Sequence, residues 1–155
     1  MQASSPRVLE LGAGMGLPGL WAATRGAEVI LTDLNLPVLE LLRRNAGFLE
    51  LGAREPAVRA LDWAVRPEWV REDVDLVIAS DVIYDRAHIA PLLSIAAAAL
   101  RPGGTLLLSH TERGIVPFDE ALDHAEVEGL SWTAQTGGGA GEVGTIAVHT
   151  FTKEF

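Results

Sequence analysis

Short apolar runs alternate along the chain with stretches whose hydrophobic positions recur at helical spacing. Arg7–Leu11 reads as a strand bounded by the glycines that follow it. Pro18–Arg25 predicts a helix, with proline in its first turn and Gly26 placed to stop it. Trp21 of this helix reads as core. Glu28–Asp33 (EVILTD) predicts a second strand. A longer helix is predicted over Leu36–Glu50, with Asn35 as its cap and Pro37 in the first turn. Its Val38, Leu41, Leu42, Phe48 and Leu49 recur at roughly helical spacing. Val58–Leu61 reads as a third strand. Val74–Ser80 (VDLVIAS) is apolar on both faces after Asp75, the pattern of a central parallel strand with helices on either side. Ile89–Leu100 predicts an Ala-rich helix broken by Pro102-Gly103-Gly104, and Thr105–His110 a fifth strand. Phe118–Val127 fits one more helix, with Asp119, Glu120, Asp123, Glu126 and Glu128 on a solvated face. Leu130–Ala134 and Thr145–Thr152 read as two strands joined by the glycine-rich stretch Gly137–Gly144.

This order predicts an α/β fold: a Rossmann-like, doubly wound, mostly parallel sheet in three α/β/α layers, with a C-terminal antiparallel hairpin at its edge. The 155 residues suit one domain with a sizeable core, and hydrophobic residues make up 48% of them. No apolar run reaches the ~18 residues of a membrane span. Met1–Pro6 carries neither the charged nor the apolar region of a secretory signal. Cysteine is absent, which excludes disulfides, thiol nucleophiles and Cys-ligated zinc. His88, His110, His124 and His149 show no metal spacing, so no metal is expected. His110 follows the fifth strand, where a core or surface role is favoured over one lining a cleft. A reducing compartment fits, the cytoplasm first and the nucleus as the alternative. The net charge of −9 repels phosphate backbones and weighs against nucleic acid, while it is compatible with a basic protein or peptide.

The sharpest local signal is Val8-Leu9-Glu10-Leu11-Gly12-Ala13-Gly14-Met15-Gly16, a strand running through a glycine-rich turn into a helix. Glycine lets the backbone approach a ligand with no Cβ in the way, and the helix N-terminus offers unpaired N–H groups. A ribose-binding acid is expected about 20 residues further on, at the end of the second strand. Asp33 stands there, 19 residues past Gly14. Dinucleotides use G-x-G-x-x-G, but here the third glycine comes one residue early at Gly16, and Leu17 fills the slot that pattern needs. A nicotinamide enzyme is therefore a distant alternative.

V-L-E-L-G-A-G-M-G-L-P-G resembles motif I of the class I, or seven-β-strand, S-adenosylmethionine-dependent methyltransferases. Leu31-Thr32-Asp33, Leu61-Asp62-Trp63 and Leu100-Arg101-Pro102-Gly103-Gly104 resemble further segments of that family in its order. The resemblance covers about residues 6 to 112. It implies S-adenosylmethionine as cofactor, with Glu10, Gly12, Gly14 and Gly16 facing the methionine moiety and Asp33 the ribose hydroxyls. It further implies Asp62 at the adenine amino group and Trp63 beside the ring, with Ser80 at the end of strand four among the cofactor residues. Asp81-Val82-Ile83-Tyr84 follows that strand. This D-x-x-Y resembles the methyltransferase-like, non-SET protein-lysine methyltransferases. Its Val82-Ile83 pair lacks the proline frame of many amide- and base-methylating relatives. The resemblance implies Asp81 and Tyr84 as catalytic residues on the acceptor path and a protein substrate. It also implies a core lacking the N-terminal cap usual in that group. A small-molecule or other protein acceptor, and a non-catalytic subunit that keeps the cofactor, stay open.

Overall fold

A computed structural model describes residues 4–48, 54–71, 73–111, 118–137 and 146–155. Seven strands form one sheet in the order β3-β2-β1-β4-β5-β7-β6. They are β1 (Arg7–Leu11), β2 (Glu28–Asp33), β3 (Ala57–Ala60), β4 (Val74–Ser80), β5 (Leu100–Thr111), β6 (Leu130–Thr136) and β7 (Ile146–Lys153). The first five run parallel, while β7 lies antiparallel to both β5 and β6. The expected doubly wound sheet and its edge hairpin are both present. The last strand in sequence is inserted between β5 and β6 rather than added outside them.

Side-chain alternation divides the core into two layers. Val8, Val29 and Leu31 face α1 (Leu17–Thr24) and α2 (Leu36–Ala46). Leu9, Leu11, Val77, Leu106, Leu108 and Phe151 face the opposite way, in the core shared with α3 (Ile89–Ala99) and α4 (Asp119–Val127). Gly19 in α1 is a close-packing position. A Cβ there would lie 2.4 Å from Leu31 Cδ2 and 2.5 Å from Glu10 Oε2, so only glycine lets α1 settle this tightly on β1 and β2.

Several boundaries differ from the sequence reading. Pro102-Gly103-Gly104, expected to break the helix, lies inside the next strand: α3 ends at Ala99, and β5 starts at Leu100 and pairs there with Val74 before the register shifts. Helix α2 ends at Ala46, where Gly47 caps it. Phe48 therefore lies past the helix and is exposed rather than on its apolar side. Leu49, Glu50, Thr145 and the link 138–144 lie outside the described residues. Trp21, read as core, is 62% exposed. With Leu17 and Pro18 it borders an apolar groove of about 500 Å3 over β4, β5 and β7, floored by Ile78, Leu107 and Val148. Among the described residues no helix is long and apolar enough to cross a membrane, and no cluster of His, Asp and Glu suits a metal ion.

Candidate active site

Four parallel strands end at one rim of the sheet. Pairing of Leu11 with Ala79 and of Asp33 with Ala60 levels the ends of β1, β4, β2 and β3. Two backbone bonds clamp the segments beyond them, from Ala13 N–H to the Thr32 carbonyl (2.8 Å) and from Leu61 N–H to the Asp33 carbonyl (3.0 Å). Between these ends opens a cleft of about 450 Å3, within the range of small-molecule sites and where an open α/β sheet places them.

Gly12 forms part of its wall with φ +62°. A Cβ here would come 2.7 Å from Val82 Cγ1 and 3.2 Å from Trp63 Cζ2, so any side chain would push the cradle apart. Asp33 is fixed from two sides. Its Oδ2 accepts from Gly14 N–H (3.2 Å) and its Oδ1 from Asn35 N–H (2.9 Å). Each oxygen keeps a further lone pair for a ligand hydroxyl. Asp62 folds into an Asx turn, accepting from Ala64 N–H at 2.9 Å through Oδ1. Leu34, Val82 and Trp63 supply apolar surface between the two acids.

The other side of the cleft is built by the segment after β4. Asp81 has φ 56° and is the one non-glycine residue with positive φ among those described. Such a conformation costs roughly 1–2 kcal/mol and collects at functional sites. It is held by the bond from Asp81 N–H to the Ser109 carbonyl (2.9 Å). The turn starts a segment that brings Asp81, Val82 and Tyr84 to the cleft, with Tyr84 62% exposed.

Of the residues expected from sequence, the cleft thus brings together Gly12, Asp33, Asp62, Trp63, Ser80, Asp81 and Tyr84. Glu10, Gly14 and Gly16 do not line it. Gly14 braces Asp33, and Gly16 is the N-cap of α1. Glu10, expected to face the methionine moiety, is 1% exposed beneath the first turn of α1, where Oε2 accepts from Gly19 N–H at 2.9 Å. Burial pushes its carboxyl up to about 7, against the opposing pull of the Gly19 N–H. His110 is buried, with Phe118 and His149 beside it, away from the cleft. Leu34, His88 and Pro91 line the cleft without having been expected there. Leu34 follows Asp33 directly and was open to inference from that position. His88 carries no motif.

The pattern of a family described as lysine methyltransferase matches residues 1–128. The mouse EEF1A lysine methyltransferase 3 is 32% identical over 69% of the chain and 46% of its own length. The release factor glutamine methyltransferase of Deinococcus radiodurans is 34% identical over 84% of the chain and 52% of its own length. The chain spans about half the length of these curated relatives. Among solved structures, a TehB-like S-adenosylmethionine-dependent methyltransferase from Corynebacterium glutamicum superposes with a TM-score of 0.80 at 20% identity, over 98% of the chain and 83% of that protein. The magnesium protoporphyrin IX methyltransferase of Synechocystis PCC 6803, solved with bound S-adenosylmethionine, gives 0.79 at 17% identity, over 97% and 71%. These likenesses show the fold, a seven-stranded Rossmann-like methyltransferase architecture.

Proposed function

Because the chain belongs to the lysine methyltransferase family, we propose that it transfers a methyl group from S-adenosylmethionine to a lysine side chain of a protein. The observation that carries this reading is the meeting of two differently equipped walls in one cleft. Asp33, Asp62 and Trp63 form one, and the strained Asp81 with Tyr84 forms the other.

The residues present fit the cofactor. The gap beside Gly12 is one a Cβ would fill, and two braced carboxylates flank apolar surface of a kind that suits an adenosine. In this reading Asp33 holds the ribose hydroxyls, Asp62 the adenine amino group, and Leu34, Trp63 and Val82 the ring. S-adenosylmethionine supplies a methyl group already activated by its sulfonium. What remains for the protein is to hold a nucleophile in line and keep water out. An acceptor lysine must arrive as the free amine, although its ordinary pKa of ~10.4 disfavours that form at neutral pH. An apolar wall assists by desolvation. Asp81 orients the amine rather than stripping its proton strongly, since a nearby carboxylate favours the ammonium. Tyr84 positions the amine through its hydroxyl or walls the channel.

A glutamine amide is the competing acceptor, favoured by the likeness to the release factor enzyme. Against it stands Val82-Ile83, an apolar pair packed into the core instead of a proline frame. The test is to incubate the chain with labelled S-adenosylmethionine and cell extract, then locate the label by mass spectrometry. Label on lysine, lowered by Tyr84→Phe and Asp81→Asn with cofactor affinity kept, is the expected result. Label on glutamine, arginine or a small molecule overturns the acceptor assignment and leaves the cofactor reading standing.

A further inference from the structure

The imidazole of His88 stands between the two walls of the cleft. It closes the 3-10 turn Arg86–His88 and occupies the N-cap position of α3, yet its side chain makes no capping bond. Its Nδ1 is buried and has no hydrogen-bond partner among the described residues. The ring is used another way. Trp63 lies on one side with ring centroids 5.8 Å apart at 89°, and Tyr84 on the other at 5.3 Å and 83°. Both are edge-to-face geometries, the arrangement aromatic quadrupoles favour. Trp63 in turn borders the Gly12 cradle, 3.2 Å from where a Cβ would sit. Packed side chains therefore run from Trp63, beside Gly12, through His88 to Tyr84.

We infer that His88 is a positioning residue: an aromatic wedge that sets the ring of Tyr84 against Trp63, so that the wall beside the adenine determines the geometry offered to the acceptor. This rests on the reading of the cleft given above. The wedge works by shape and ring edge, through its contacts with Trp63 and Tyr84. An aliphatic side chain fills part of the space without the edge-to-face contacts. A phenylalanine restores them. A loss of His88 frees Tyr84, which is largely exposed and has no other ring contact among the described residues.

Tyr84 is the sole tyrosine of the chain, so incorporation of 3-fluorotyrosine yields one fluorine resonance that reports on it alone. In the ligand-free protein, His88→Ala should move this resonance toward its position in the unfolded chain and narrow it, while His88→Phe should leave it near the wild-type position. His88→Leu takes the place of the alanine variant if that one unfolds. Addition of S-adenosylhomocysteine should shift the resonance in wild type and in His88→Phe, and by less than half as much in the ringless variant. In cell extract with labelled S-adenosylmethionine, the ringless variant should transfer label about tenfold more slowly while its affinity for S-adenosylhomocysteine changes less than threefold, and His88→Phe should recover most of that loss. An unmoved resonance in the ringless variant overturns the inference. So does a His88→Phe variant as impaired as His88→Ala, since the nitrogen would then be the working part. Wild type that binds no S-adenosylhomocysteine refutes the cofactor reading instead, and the ligand-free spectra still decide whether His88 holds Tyr84.

Discussion

Asp33 spends one lone pair of each carboxylate oxygen on backbone N–H groups and turns the remainder toward the cleft. Asp33→Ala should weaken S-adenosylhomocysteine binding by about 1.5–3 kcal/mol, the scale of hydrogen bonds to a charged group, as read by titration calorimetry. Unchanged affinity would remove Asp33 from the site. Glu10 has a different part. Its folded pKa of about 7 lies above the ordinary 4.5, so the fold prefers it protonated. The stability it contributes is full below pH 4.5 and is lost as pH rises toward 7, about 3 kcal/mol in all. Glu10→Gln keeps an acceptor for Gly19 and should flatten this slope, making the variant at least as stable as wild type at pH 8. Denaturant unfolding at pH 4.5, 6 and 8 measures it, and equal slopes in both proteins would refute the idea. Spacing pointed to Asp33, and the family resemblance to Asp62 and Asp81; the three meet because strand ends in this topology share a rim. The sequence could not show that Glu10 turns under α1, since that depends on how closely Gly19 lets the helix approach. Nor could it find His88, whose role lies in two ring contacts from separate loops.

At the level of elements, β1, β2 and β4 were legible to the residue, because strands covered on both faces read as short, mostly apolar runs between turn signals. β6 was read two residues short. Its later positions are exposed and polar at the sheet edge, so burial leaves no mark on them. The start of β5 was hidden because proline and glycines that end a helix also fit an irregular strand entry. The end of the sheet opposite the cleft is fastened by Asp75 of β4. Its carboxylate accepts from Arg7 N–H of β1 at 2.7 Å and from Arg101 of β5 at 2.6 Å. The Arg7 N–H, and after it the Arg101 side chain, hold its pKa below the ordinary 3.8. A carboxyl with a depressed folded pKa stabilises above pH 3.8, and that contribution fades as pH falls through the folded value. Asp75→Asn should lower stability near neutrality and shift the acid-unfolding midpoint, followed by circular dichroism, toward higher pH. An unaltered acid limb would show that the clasp carries no weight.

On the scale of the whole sheet, the helices among the described residues are unevenly placed. α1 and α2 cover β1 to β3, whereas Ile78, Leu107 and Val148 on the same face form the floor of an open apolar groove beside Leu17 and Trp21. Open apolar surface of this kind attracts ligands and neighbours. The native chain should enhance the fluorescence of an anilinonaphthalene dye. Leu17→Gln with Trp21→Gln should reduce that enhancement at least threefold without lowering cofactor affinity. Equal dye binding by both proteins would place the apolar surface elsewhere. The position of β7 matters in another way, through the order in which a ribosome makes the chain. β5 and β6 do not touch as strands; each pairs with β7, which is made after both. Until β7 emerges, the nascent sheet stops at a bare β5 edge and β6 has no strand to join. Completion of the sheet thus waits for β7, and the open β5 edge before it is a surface through which chains can pair with one another instead of with themselves.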